Sequence, residues 1–107
     1  DSLLNDEKKH VVATFPGGLD AMRAYIRSHI RYPKAALALK EEGRVIVKAH
    51  VDERGNILSC EVMMSDNALF NEEALRVVRS MPRLQPATCQ GKHVVGICKI
   101  PVMFRLR

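Results

Sequence analysis

Histidine and cysteine are the residue types in this sequence best suited to catalysis or metal binding, and their spacing supports neither. The four histidines form no HExxH motif and are scattered along the chain, at His10, His29, His50 and His93. The three cysteines form no CxxC pair, and no histidine stands at metal-site spacing from them: Cys60, Cys89 and Cys98. A catalytic site needs several convergent groups, and no local motif marks one. The sequence therefore predicts a protein that is not an enzyme, with no catalytic residue, metal site or cofactor.

Backbone pairing at the edge of a β-sheet is the chemistry that the sequence does favour. The last predicted strand covers about residues 93–105 and contains Pro101. Proline has no N–H to donate to a ladder, so Pro101 indicates an edge strand. An extended peptide can add to such an edge, with side-chain pockets providing selectivity. Lys99, Pro101 and Arg105 would also protect the edge against aggregation, a role that is compatible with binding.

Basic residues are concentrated at the C-terminal end. The chain has 17 Lys and Arg against 12 Asp and Glu, and residues 74–107 contain seven basic residues and no acidic one. Such a region favours acidic partners, although a merely solvated face would have the same composition. The outward positions of the predicted strands carry no aromatic residue to stack on bases, so nucleic acid is not expected as a partner. Five outward apolar residues form a candidate patch for self-association or for covering by the N-terminal arm: Ile46, Met63, Val95, Ile97 and Met103.

The periodicity of apolar residues predicts the elements that position these side chains. Residues 1–14 are predicted to be an arm or linker remnant, and residues 15–107 a single domain. Helical spacing predicts helices over about residues 19–30 and 70–81. Pro33, suited to a first helical position, and Gly43, suited to a cap, predict a short helix over residues 34–42. Alternation predicts strands over residues 45–51, 57–64 and 93–105, with residues 83–92 as an extended loop. The inner face of the second strand is predicted to carry Leu58, Cys60, Val62 and Met64.

The order of these elements predicts the topology. The helix after the second strand returns the chain along the sheet, so the third strand runs parallel to the second and fits best beside the first, antiparallel to it. The predicted fold class is α+β: a two-layer sandwich in which a three-stranded antiparallel sheet of order 2-1-3 carries its helices on one face.

Several short motifs, in the right order, resemble the C-terminal domain of TonB proteins. Phe15-Pro16-Gly17-Gly18 precedes the first helix, and Tyr32-Pro33 ends it. The hairpin Val51-Asp52-x-x-Gly55-x-Ile57 and the closing Ile100-Pro101-Val102-x-Phe104 continue the match, which covers residues 15–106. The Phe-Pro-Gly-Gly version is typical of Bacteroidota.

The resemblance implies a non-enzymatic energy transducer of the Gram-negative envelope. We expect a chain that begins at Asp1 to be a piece of a longer protein, whose N-terminal helix would anchor it to the inner membrane and leave this domain in the periplasm. The implied partners are the TonB box of outer-membrane TonB-dependent transporters, which pairs with the last strand, and the proton-driven ExbB–ExbD motor. The implied peptide-binding residues are Arg83, Gln85, Ile97, Lys99, Ile100, Pro101, Val102, Met103, Phe104 and Arg105.

Two departures from the family pattern keep alternatives open. The family usually has Trp where Leu84 stands and an aromatic residue where Ala49 stands, which implies a repacked core or a divergent paralogue. The domain also occurs fused to membrane sensors or peptidase-like proteins, so the alternative function is a sensory or regulatory ectodomain with the same fold. A homodimer formed by exchange of strands, and the pairing of the three cysteines, also stay open.

Overall fold

The computed structural model describes residues 10–106. Its elements in chain order are β1 (His10–Val11), α1 (Gly18–His29), α2 (Lys34–Ala38), β2 (Gly43–Val51), β3 (Ile57–Ser65), a 3-10 turn (Ala68–Phe70), α3 (Asn71–Arg79), β4 (Ala87–Cys89), β5 (Lys92–Val94) and β6 (Gly96–Phe104). Within the described residues, no helix has both the length and the apolar character needed to cross a membrane.

The main sheet has three antiparallel strands in the order β3-β2-β6, which confirms the predicted fold class and the order 2-1-3. Strand β2 is central because it pairs with β3 on one side and with β6 on the other. Every second side chain of β2 is fully buried, as the alternation predicts: Val45, Val47, Ala49 and Val51. The helices cover the face of the sheet to which these side chains point.

Helix α3 and an aromatic cluster fill most of the core. The predicted apolar stripe of α3 is confirmed, since Ala74, Val77 and Val78 are fully buried. At the end of the sheet where β2 begins, the rings of Phe70 and Phe104 stack with their centroids 4.3 Å apart. Tyr32 packs edge-on against both rings, with centroid separations of 5.7 and 5.9 Å. Aromatic pairs in these two arrangements are favourable beyond their buried area, so this end of the sheet is well fixed.

Strand β3 departs from simple alternation at two points. Its register with β2 shifts where Met63 and Leu58 each add one unpaired residue, so the strand contains two β-bulges. Each extra residue moves the side chains beyond it to the other face of the sheet, because side chains alternate with a period of two. The predicted inner face is therefore wrong for Leu58 and Met64, which are exposed, and correct for Cys60 and Val62, which pack against the core.

A second, small sheet of order β1-β4-β5 occupies part of the segment predicted to be a loop. Gln90 and Gly91 both have positive φ, 52° and 81°, and form the two-residue turn between β4 and β5. The strand predicted over residues 93–105 is correspondingly divided at Val95 into β5 and β6. Strands β4 and β5 have three residues each and β1 has two, which is too short for alternation to reveal them. Residues 1–9 of the predicted arm lie outside the described residues, and the domain boundary at residue 15 stays a prediction.

The end of one helix also differs from the predicted bounds. Helix α2 ends at Ala38 rather than at Glu42, and Lys40, which follows it, has a left-handed φ of 54°. Helix α1 ends before Tyr32-Pro33 as predicted, because the residue before a proline is disfavoured in the helical region.

Candidate functional site

Strand β6 forms one edge of the main sheet, as Pro101 predicts. It pairs with β2 without a register shift, from Gly96 opposite Val51 to Phe104 opposite Gly43. On its other side, no strand or backbone group among residues 10–106 pairs with it. A regular strand with one open side presents a row of N–H and C=O groups with which another extended chain can pair.

Pro101 indicates which backbone groups face the open side. It lies opposite Ile46. Opposed residues in an antiparallel pair alternate between hydrogen-bonded and non-hydrogen-bonded positions, and a proline fits the latter because it has no N–H. The even-numbered residues of β6 therefore bond to β2. We expect the N–H groups of Ile97, Lys99 and Met103 to point toward the open side.

The two faces of β6 divide the predicted binding residues into two groups. Ile100, Val102 and Phe104 have fully or almost fully buried side chains within the core. Lys99 and Met103 are exposed on the opposite face, where Ile97 and Pro101 are half-buried. Side chains of the first group can support a peptide site only by holding the strand in place, whereas those of the second group are accessible to a ligand.

The other predicted residues lie at the two ends of β6. Leu84, between Arg83 and Gln85, donates its N–H to the carbonyl oxygen of Gly55 at 2.8 Å. Gly55 is in the turn after β2, so this contact places the segment near the start of β6. The φ of Gly55 is +89°, and a Cβ there would lie 1.8 Å from the Leu84 carbonyl oxygen, so only glycine fits. Arg105 is at the far end, and nine residues of strand separate the two ends by about 30 Å.

An apolar groove of about 430 Å³ opens beside the first half of β6. Residues 97–99 of β6 form one wall, and residues 12–15 form another. The first turns of α1 complete it with Gly18, Leu19 and Met22. Thr14 is held in place by reciprocal backbone hydrogen bonds with Gln85, of 3.0 and 2.8 Å. Gln85 thus supports the wall of the groove.

Sequence reasoning did not predict this groove, because its walls come from two distant parts of the chain, residues 12–22 and residues 97–99. One signal was present in the apolar stripe of α1. Leu19 belongs to the predicted stripe with Met22 and Ile26, yet it is 52% exposed whereas the other two are buried. Because the core leaves this large side chain uncovered, Leu19 adds apolar surface to the groove.

Positive charge surrounds the open side of β6. Lys99 and Arg105 are exposed, and neither forms an ion pair with a carboxylate in the described part of the chain. Lys48 lies directly opposite Lys99 on β2, and it lies within 3.9 Å of Glu61 on β3. The unpaired cations make this edge attractive to an acidic segment.

The cysteines show no sign of nucleophilic activation. All three are free thiols, and Cys98 is buried. Burial raises the pKa of the thiols of Cys60 and Cys98, which keeps them protonated and poorly nucleophilic at neutral pH. Within residues 10–106, no group of three His, Cys, Asp or Glu side chains is placed to hold a metal ion.

Comparison with known proteins agrees with this geometry. The sequence model of the family described as Gram-negative bacterial TonB protein C-terminal matches residues 28–106. The chain belongs to the TonB C-terminal domain family. Among solved structures, it is similar to the NMR solution structure of the Helicobacter pylori TonB C-terminal domain, with 25% sequence identity and a TM-score of 0.62. That match covers 81% of this chain and 91% of the other. None of the curated proteins matches the chain.

Membership of the TonB family gives these observations a biological setting. The family consists of non-enzymatic energy transducers that serve TonB-dependent transporters, and its C-terminal domain is periplasmic. The two departures from the family pattern are both in the core, where Leu84 and Ala49 are buried. Ala49 lies between Cys60 and Cys98 in register, so three small side chains cross the sheet side by side.

Proposed function

We propose that the open edge of β6 binds the TonB box of outer-membrane TonB-dependent transporters by β-strand addition. The observation that carries this proposal is the regular, one-sided pairing of β6, which has nine residues in register with β2 and no partner among the described residues on its other side. The TonB box would contribute a further strand, held mainly by main-chain hydrogen bonds.

Three of the predicted residues would contact the peptide with their side chains. Ile97, Lys99 and Met103 are on the face of β6 that the helices leave uncovered, and their N–H groups are those we expect on the open side. The cations Lys99 and Arg105 would steer an acidic segment toward the edge. Arg83 and Gln85 would meet the end of the peptide that lies near the start of β6.

The remaining steps of transport depend on the full-length protein. We propose an inner-membrane anchor preceding this domain, through which the ExbB–ExbD motor would transmit the proton-motive force. The motor would pull on this domain through the anchor. The hydrogen bonds between β6 and the added strand would then transmit the force to the transporter. The Phe-Pro-Gly-Gly motif, residues 15–18, supports an origin in Bacteroidota.

An NMR titration of the 15N-labelled chain with TonB-box peptides from transporters of the same organism tests the proposal. We expect the amide shifts to concentrate at residues 97–105 and to saturate with peptide. A peptide of the same composition in scrambled order is the control, and it should leave these amides in place.

Two other results would contradict strand addition at β6. Shifts that concentrate on α3 or β3 would move the site to another surface. A folded spectrum without shifts at millimolar peptide would instead favour the sensory or regulatory ectodomain, whose partner is a different peptide or none.

A further inference from the structure

We propose that the apolar groove beside β6 receives one large apolar side chain of the strand that adds to this edge. The inference rests on the proposed function, which supplies the added strand. It places a selectivity pocket on the face of the sheet that the helices cover. The side chains of Ile97, Lys99 and Met103 point to the other face.

The geometry of strand pairing directs a peptide side chain toward the groove. Side chains of neighbouring strands that lie directly opposite each other point to the same face of the sheet. Cys98 points toward the helices and lines the groove. A peptide residue opposite Cys98 therefore points into the groove, while the residues before and after it point to the open face beside Ile97 and Lys99.

The walls of the groove suit an apolar side chain. Cys98, Met22, Ala13 and Phe15 form a floor that is buried in the free domain, and Leu19 is exposed at the rim. A volume of about 430 Å³ lies within the range of about 300–1,000 Å³ typical of ligand pockets, and is ample for Leu or Phe. Filling it would remove both the peptide side chain and Leu19 from water.

Small side chains in the inner row of the sheet contribute to this space. Cys98 is in register with Ala49 on the neighbouring strand. Both side chains are short, so Cys98 contributes only a small group to the floor of the groove. We therefore expect the groove to have room for a large apolar peptide side chain opposite Cys98.

The variant Leu19→Trp tests the pocket by filling it from the rim. Leu37→Trp is the matched control, since Leu37 is also a helical residue with 52% exposure and is not among the residues that line the groove. The probe is the TonB-box peptide with the largest shifts in the titration above, together with a copy that has Asp at the position opposite Cys98. Intermolecular NOEs to Met22 and Leu19 identify that position.

We expect Leu19→Trp to weaken binding of the parent peptide about tenfold and Leu37→Trp to leave it unchanged. The Asp peptide should bind the unchanged domain about tenfold more weakly, and Leu19→Trp should weaken it no further. This non-additivity is what a direct contact between the groove and that side chain requires.

The outcomes separate this inference from the function on which it rests. If Leu19→Trp binds the parent peptide as tightly as the unchanged domain, with shifts still at β6, the pocket is overturned and strand addition stands. If no peptide shifts β6, both fail. If Leu3→Ser combined with Leu4→Ser alters the Met22 methyl signal of the free chain, its own N-terminal segment fills the groove, and the proposal is overturned.

Discussion

The two edges of the main sheet differ in regularity, although both are exposed. Strand β3 has two bulges, at Leu58 and Met63, and both of these apolar residues are more than half exposed. Strand β6 has no bulge and keeps one register with β2 through all nine residues. The first edge is twisted and interrupted, and the second is continuous.

This difference explains how one sheet can offer a single binding edge. A bulge leaves a residue unpaired and bends its strand, which is a common way to prevent edge-to-edge association. Strand β6 has the milder protection of Pro101, Lys99 and Arg105, which leaves most of its outer backbone groups available. An incoming strand would therefore find several consecutive hydrogen-bonding positions on β6 and few on β3.

The largest expected effect comes from truncating a core residue of β6, compared with truncating a bulge residue of β3. Ile100→Ala removes a fully buried side chain from β6 and should lower the free energy of unfolding by about 3 kcal/mol. Leu58→Ala, at a bulge of β3 and 62% exposed, should change it by less than about 0.5 kcal/mol. Urea unfolding of both variants measures the difference. Equal losses would mean that the bulged residue packs against the core after all.

The second prediction concerns the outer backbone of β6. Lys99→Pro removes one N–H from the open side without removing a bond to β2, so the domain should remain folded while peptide affinity falls. The loss should be about 2 kcal/mol, or about thirtyfold, because the peptide carbonyl is left without its donor. Lys99→Ala keeps the N–H and is the matched control, with a loss of only a few-fold. Equal affinities of the Pro and Ala variants would place the pairing elsewhere.

The smallest expected effect concerns the turn that joins β3, the other edge strand, to β2. Strand β3 is joined to β2 by a local turn in which Asp52 accepts backbone hydrogen bonds from Arg54 and Asn56, at 2.9 and 2.8 Å. The hydrogen bond from the Asn56 backbone is the main cause that lowers the pKa of Asp52. A lowered pKa stabilises the fold above the unfolded value of about 3.9, and the stabilisation disappears as the pH falls through the folded pKa.

The variant Asp52→Asn removes this charge and keeps the shape. We expect the unchanged protein to be more stable than Asp52→Asn at pH 7 and the gap to close below about pH 4. Urea midpoints across this range measure it, and amide exchange should show the loss first in β3 rather than in β6. A gap that stays constant with pH would show that the charge of Asp52 does not support the turn.

The parts of the fold that could be read from the sequence are those with a local physical signature. The alternation of Val45, Val47, Ala49 and Val51 reveals a strand with one buried face, and Pro101 reveals an edge. The α3 stripe through Val77 and Val78 has helical spacing over its full length. The bulges at Leu58 and Met63 have no such signature, because an inserted residue in an apolar strand looks like continued alternation.

The candidate site divides in the same way. The outward-facing set on β6, Ile97, Lys99 and Met103, could be predicted because alternation assigns faces once a strand is known. The groove could not be predicted, because Leu19 and Cys98 are far apart in sequence and meet only when α1 packs beside β6. The pairing of Thr14 with Gln85, which supports one wall, is equally non-local.

The sequence by itself determined the types of the main helices and strands, the order of the main sheet and the strand that would form its open edge. Periodicity, proline and turn chemistry act over a few residues, and that range is enough for each of these. Only the tertiary structure decided that β3 is interrupted while β6 is regular, and that an apolar groove opens beside Cys98. Both depend on how side chains from distant segments share one volume, and no local pattern encodes such a fit.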